Sequence, residues 1–170
     1  MISVFLTVVI AMQAGDSQRS RITMSVCDVL TDDPTKLNGR VISVRGVLGA
    51  TDEGMWLSGE CKTHLVTKGL AWGNDLSVYV PAAEENVARS WDRLSDNLKR
   101  RHADIKRDRI WVTIVGRLET RKSIEDEVVQ TPHGLSRAGF GHLGGSAAEI
   151  NVISVEDVVV ERRSQNKQHQ

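Results

Sequence analysis

Apolar and polar side chains alternate along several stretches of the chain, and in one stretch apolar residues recur at helical spacing instead. Over residues 40–50, Ile42, Val44, Gly46 and Leu48 fall on one face and Val41, Ser43, Arg45 and Val47 on the other. That is the period-two pattern of a half-buried strand. Gly46 and Gly49 interrupt it, and glycine inside a long strand marks a bulge or a sharp bend. Residues 55–58 predict a second, short strand. Leu76, Val78 and Val80 alternate in a third, stopped by Pro81. Ile110, Val112, Ile114, Gly116 and Leu118 share one face of a fourth, and residues 150–160 make the last. The run 112–118 repeats the order of 42–48, with Gly46 and Gly116 in matching places. This predicts two strands bent in the same way rather than a duplicated domain. Residues 65–72 fit either a continuation of the sheet or a loop.

Between residues 81 and 106 the period changes. Val87, Trp91, Leu94, Leu98 and Ile105 form an apolar stripe at helical spacing. Pro81 is suited to open this helix, and Glu84 and Glu85 suit its positive N-terminal end. Glu85 with Arg89 and Asp96 with Arg100 predict i,i+4 pairs on the wet side. Trp91 is the expected buried anchor, and His102, on the edge of the stripe, a half-buried packing residue. A shorter helical turn is expected over 25–30, capped by Ser25 with Asp28 three residues later. Asp32-Asp33-Pro34 ends that turn, and Asn38-Gly39 signals another just before the first long strand.

The order strand, strand, strand, helix, strand, strand predicts a mainly β fold. The specific expectation is a five-stranded barrel of the oligonucleotide/oligosaccharide-binding (OB) type, with one helix between strands 3 and 4 and a short N-terminal helical turn. A long first strand bent near its middle, so that it serves both halves of a small barrel, belongs to that architecture.

The N-terminus adds a compartment. Residues 1–14 carry no charged side chain and contain a run of Val, Ile, Leu and Phe too short to span a bilayer. Small residues follow at Ala11, Ala14 and Gly15. This reads as a signal peptide, residues 1–14, with cleavage near Ala14–Gly15, although no Lys or Arg precedes its apolar core. A flexible segment 15–24, the barrel domain 25–161 and a disordered tail 162–170 complete the expected organisation. An exported chain with two cysteines, Cys27 and Cys61, predicts one disulfide. It would close a loop of about 35 residues, worth on the order of 3–4 kcal/mol in the chain-entropy model. The expected location is periplasmic or secreted, with no membrane span in the mature chain.

Several segments together resemble a group of uncharacterised exported bacterial proteins with an OB-like β-barrel. They are Ser25-Val26-Cys27-Asp28-Val29-Leu30, Leu37-Asn38-Gly39, Val44-Arg45-Gly46, Cys61, Val115-Gly116-Arg117-Leu118, Gly139-Phe140-Gly141-His142-Leu143-Gly144 and Val155-Glu156-Asp157-Val158. The resemblance implies fold and export. It carries no activity to transfer.

Charge and candidate chemistry narrow the function classes. Lys plus Arg and Asp plus Glu number 22 each, interleaved along the chain, so the basic excess that holds nucleic-acid phosphates is missing. Residues 132–145 hold five glycines together with His133, Phe140 and His142. Such a loop, joining the last two strands, lies at the rim of an OB binding face. Phe140 and Leu143 are expected to pin it to the barrel end. It is no phosphate loop, because no Gly-Lys-Ser/Thr follows. Trp56, Trp72, Trp111 and Tyr79 are candidate stacking aromatics. Arg45, Tyr79, Trp111 and Arg117, opposite the apolar faces of their strands, make a candidate ligand face beneath the loop.

Cys61 and His64 have C-x-x-H spacing, but a zinc site needs about four ligands and the disulfide uses Cys61. No metal or cofactor is expected. Asp52-Glu53 and Glu125-Asp126-Glu127 are paired acids beside turns, where solvated charge is the default. No G-x-S-x-G or Ser-His-Asp order is present. The leading expectation is a non-enzymatic binding or structural module of the bacterial cell envelope, its partner an envelope polymer or protein. The alternatives are a single-stranded nucleic-acid-binding OB domain and a hydrolase acting on envelope sugars.

Overall fold

A computed structural model describes residues 22–31, 33–82 and 84–162. The expected signal peptide, and the tail beyond residue 162, lie outside the described residues. The fold is mainly β. A strand β1 (Thr23–Ser25) leads into helix α1 (Val26–Thr31), followed by β2 (Val41–Thr51), β3 (Gly54–Ser58), β4 (Val66–Thr67), β5 (Leu70–Ala71) and β6 (Asp75–Tyr79). Helix α2 (Glu85–Arg100) precedes β7 (Arg109–Glu119), β8 (Val128–Thr131), β9 (Gly134–Arg137) and β10 (Glu149–Glu161).

The main sheet has the order β1-β2-β3-β6-β10-β7, and β7 pairs in turn with β2. The hydrogen bonds therefore run in a ring. Every ladder in the ring is antiparallel except β6 with β10, which is parallel. The long strand β2 makes this possible. One of its edges carries β7 along Val41–Val47; the other carries β1 beside Ser43, Val44 and Arg45 and then β3 from Val47 to Thr51. Its alternation is as the pattern predicts, with Ile42, Val44 and Leu48 in the core.

The two matching glycines work by close approach. A Cβ at Gly46 would lie 2.8 Å from Val26 Cγ2 and 3.1 Å from both Leu57 Cβ and the Ser58 carbonyl, so Gly46 leaves the seat in which α1 packs. A Cβ at Gly116 would lie 2.5 Å from the Asn151 carbonyl oxygen of β10. The register irregularities fall on β10, between Val152, the partner of Gly116, and Ser154, and between Glu156 and Val158, so the first lies directly beside Gly116. Helix α1 is closed by a reciprocal cap: the Ser25 hydroxyl accepts from the Asp28 N–H at 3.1 Å, and the Asp28 carboxylate accepts from the Ser25 N–H at 2.9 Å. These bonds from Ser25 hold the Asp28 carboxyl below its ordinary range. Cys27 in α1 is disulfide-bonded to Cys61, with Cα atoms 5.2 Å apart, which ties the helix to the segment after β3.

Several expectations are corrected. Residues 65–72 form the separate β4–β5 hairpin, turned at Lys68 (φ 49°) and Gly69 (φ 82°). Trp72 at its end is buried, its indole N–H donating to Thr67 Oγ1 at 3.0 Å, so it offers no stacking surface. Helix α2 begins at Glu85, four residues after Pro81, and stops at Arg100. His102 adopts a left-handed φ of 49°, and the bonds Ala103 N–H to Leu98 O and His102 N–H to Lys99 O close the helix in a Schellman arrangement. His102 is therefore exposed rather than half-buried. The fully buried face of α2 is Val87, Ser90 and Leu94. Trp91 and Leu98 are half-buried at its margin. The face lies on β10, where the Val155 N–H donates to the Ser90 hydroxyl at 2.6 Å. Glu85 pairs with Arg89, whereas Asp96 faces Lys99 and gives Arg100 only its backbone oxygen.

Two predictions follow from this packing. Gly116→Ala should cost more than Gly46→Ala, about 2–3 against about 1 kcal/mol, because the new methyl meets a backbone carbonyl at 2.5 Å at the first site, whereas at the second the nearest atom is a valine methyl at 2.8 Å and the backbone carbonyl stands off at 3.1 Å. Urea unfolding of both variants measures it. Trp72→Ala should lose about 3–5 kcal/mol and Trp91→Ala clearly less, since only the first indole is fully enclosed; thermal melts of the pair decide the order.

Candidate functional site

The glycine-rich segment is built in two parts. Strands β8 and β9 form a hairpin whose tip is Pro132-His133, with Gly134 at φ 111°. His133 is exposed there. The chain then folds back on itself: Phe140 and Ser146 exchange both backbone bonds, at 2.8 and 3.1 Å, and Gly139 N–H donates to Gly144 O. Gly141, Leu143 and Gly144 all have left-handed φ, which is why glycine recurs. Leu143 is 84% exposed and does not pin the loop. Phe140 is half-buried, with the Arg121 guanidinium 5.3 Å from its ring centroid.

This loop, residues 139–146, seats against β6, the start of β10 and the 51–54 turn. The Ser146 hydroxyl donates to Asp75 Oδ2 at 2.5 Å, and the Ser77 hydroxyl to Glu149 Oε2 at 2.8 Å. His142 Nε2 lies 3.2 Å from Glu53 Oε2. Between them is a cleft of about 430 Å³, floored by Met55 and Trp56 of β3 and by Asp75 and Ser77 of β6. Its other walls are Glu53, Glu149, His142 and Ser146. Trp56 folds against Gly49, the residue opposite it on β2, whose missing side chain makes room for the ring. Among the described residues three carboxylates line the cleft and no Lys or Arg does. Carboxylates only accept hydrogen bonds when ionised, so the cleft favours a ligand rich in donors.

The predicted face residues divide into two groups. Arg45 and Arg109 flank the Trp111 ring at 5.9 and 5.6 Å, and Arg45 donates to Thr113 Oγ1 at 3.3 Å. Tyr79 and Arg117 lie in a different cross-strand row, Tyr79–Asn151–Arg117–Val41, roughly 20 Å along β7 from Trp111 at the usual rise per residue. Tyr79 is 53% exposed, and Arg117 donates to the Gly39 carbonyl at 2.6 Å. Of the candidate ligand residues, His142 from the loop lines the cleft, and so does Trp56 from the candidate stacking aromatics. From the sequence Glu53 reads as a solvated turn acid, and Asp75, Ser77, Ser146 and Glu149 carry no signal, because their pairing depends on which strands become neighbours. Among the described residues no cluster of three or more His, Cys, Asp and Glu is placed to hold a metal ion.

The acidic run 125–127 also divides. Glu125 and Asp126 are exposed, while Glu127 has no exposed surface. Its Oε1 accepts from the Arg121 N–H at 3.2 Å, and its Oε2 has no hydrogen-bond partner. Burial raises its pKa to about 7, against the smaller opposing pull of the Arg121 N–H and charge. No protein-family model, curated protein or solved structure matches this chain.

The folded state therefore binds a proton at Glu127 that the unfolded chain has released above its ordinary carboxylate range. Stability is greatest at acid pH with respect to this group and falls as pH rises from about 4.5 to about 7, then levels off. The loss is on the order of 3 kcal/mol. Glu127→Gln should flatten that part of the profile, as urea midpoints across the range will measure.

Proposed function

We propose that the chain is an exported, non-enzymatic binding module of the bacterial cell envelope, built on a five-stranded OB-like barrel. Within the ring, β2, β3, β6, β7 and β10 serve as strands one to five, and α2 falls between the third and fourth. Strand one pairs with two and four, two with three, and three runs parallel to five, which is how an OB barrel is connected. OB barrels bind ligands on strands two and three, beside the loops joining one to two and four to five. The observation that carries the proposal is that the cleft has those same walls: β3, β6, the 51–54 turn and the 139–146 loop.

The lining sets the ligand class. An indole beside carboxylate acceptors and serine hydroxyls suits a neutral or amino-bearing sugar chain. An acidic cleft repels a polyanion, so the single-stranded nucleic-acid reading has its support only at Trp111, on another part of the surface. The acids that motivate the envelope-sugar hydrolase reading are not the cleft's: Glu127 is enclosed and Glu125 and Asp126 are exposed, while the cleft is lined by Glu53, Asp75 and Glu149. Export is supported by the disulfide, which oxidising compartments preserve, by the signal-like residues 1–14 and by the resemblance to exported proteins.

Titration with chitotetraose and with peptidoglycan fragments, followed by backbone amide shifts, tests the proposal. Shifts should gather at residues 53–56, 75–77 and 141–146, and Trp56→Ala should weaken binding about tenfold or more. Shifts produced instead by single-stranded DNA around Arg45 and Trp111, and suppressed by salt, would overturn it.

A further inference from the structure

We propose that Glu127 is a proton-operated latch beneath the 139–146 loop: with its carboxyl protonated the loop stays seated against β6, and loss of the proton releases it. The consequence for ligands rests on the cleft reading above; the latch itself does not.

The geometry is that of a carboxyl covered by a loop. The Glu127 carbonyl accepts from the Ala138 N–H at 2.6 Å, fixing the point where the loop begins. A Cβ at Gly139 would lie 3.1 Å from Glu127 Oε2 and 2.8 Å from the Trp72 ring, so the loop backbone crosses directly over the unpartnered oxygen. Any side chain at Gly139 would also collide with the Ser146 carbonyl.

The groups around Glu127 that could stabilise its charge are engaged elsewhere. The Trp72 indole N–H is given to Thr67. From the β4–β5 turn, Lys68 donates to the carbonyls of Glu125 and Val128 at 2.9 and 3.3 Å. From β9, Arg137 donates to the Ala71 carbonyl at 3.1 Å. Arg121 supplies its backbone N–H to Oε1 while its guanidinium lies over Phe140. Glu125 and Asp126, on the same turn, add only negative charge. On the loop, His142 faces Glu53.

A charge formed at Oε2 therefore needs water, and water can enter from one side. Trp72 on the other side is enclosed by the core. The loop carries exposed residues at Gly141, His142 and Leu143 and is closed chiefly by its own backbone bonds. Lifting it hydrates the carboxylate. The same movement takes His142 from Glu53 and Ser146 from Asp75, which dismantles one wall of the cleft. The cleft is then complete in acid and loosened at neutral and alkaline pH, consistent with the elevated pKa of Glu127 near 7.

The test is amide hydrogen exchange of the mature protein at about pH 5 to about pH 9, corrected for intrinsic exchange rates, with Glu127→Gln and His142→Asn alongside. In the parent, protection of the Gly139, Phe140 and Ser146 amides should drop about tenfold or more between about pH 5 and about pH 7 and change little above that, while β2 and β7 stay protected. Glu127→Gln should abolish the drop and His142→Asn should keep it. Loop protection independent of pH in the parent overturns the latch. So does a drop that survives in Glu127→Gln or vanishes in His142→Asn. Should Glu127→Gln fail to fold, the carboxyl carbon shift of Glu127 in the parent decides: a midpoint that coincides with loop opening supports the latch, and one in the ordinary carboxylate range overturns it. Chitotetraose binding measured in parallel separates the two readings. Failure to bind at every pH counts against the cleft as a sugar site and leaves the exchange result standing.

Discussion

The structure depends on one ladder, the antiparallel pairing of β2 residues Val41–Val47 with Trp111–Arg117 of β7. These are two eleven-residue strands, and their pairing joins the ends of what would otherwise be an open sheet. An open sheet leaves rows of unpaired N–H and C=O groups at its edges, and closure removes them. It also brings together the core faces of the two strands with the most regular alternation, so that Val44, Val112 and Ile114 are sealed from water. The remaining elements attach to this frame. β1 and α1 occupy the half of the second β2 edge that β3 leaves free, and α2 covers β10.

Closure of this kind is tight, and the close approach it forces accounts for glycine at these positions. Where α1 meets β2, the approach is possible only because Gly46 has no side chain, and Gly59 is placed the same way against Val26 and Cys27. The disulfide then holds a six-residue helix that would not persist alone. The ring also decides where a site can form. Its two short strands, β3 and β6, end beneath a long excursion between β7 and β10 that is too long to be a simple turn. That excursion has to be fixed by its own turns, by Ser146 on Asp75 and by Glu127 at its root.

Much of the frame was legible in the sequence because strand periodicity is a local property. The alternation through Ile42, Val44 and Leu48, the turn at Asn38-Gly39, the Ser25 cap and the cysteine pair are each read from a few neighbouring residues. The errors have a common cause. Ile105 continues the helical stripe in the sequence, yet it returns to the core only after the chain has left the helix at His102. Trp91 and Trp72 carry the same apolar payload, and only tertiary placement decides that the second is enclosed and the first is not. Arg45, Tyr79, Trp111 and Arg117 share an outward direction without sharing a location, because alternation fixes a face and says nothing of distance along it. The acids of the cleft belong to separate elements, β6, β10 and a turn, and no spacing in the sequence joins them.

Glu127 is the point at which fold and function diverge. A buried carboxyl with one oxygen unpartnered is the kind of group that cores exclude, since desolvating its charge costs several kcal/mol. Nothing in its surroundings requires an acid. The single bond it accepts, from the Arg121 N–H, could be accepted equally by an amide oxygen. An amide would also remain neutral at every pH, though its NH2 would stand unpartnered where Oε2 does. What distinguishes the acid is that its neutrality is conditional. At low pH it packs beneath the loop much as an amide would, and near neutrality it does not. The residue makes the stability of the covering loop depend on pH, while the core cluster of the closed ring beneath is apolar and holds no titrating side chain. A loop that forms one wall of a cleft and rests on a titrating group is a local equilibrium built onto a rigid frame, and the frame's rigidity confines the response to the cleft.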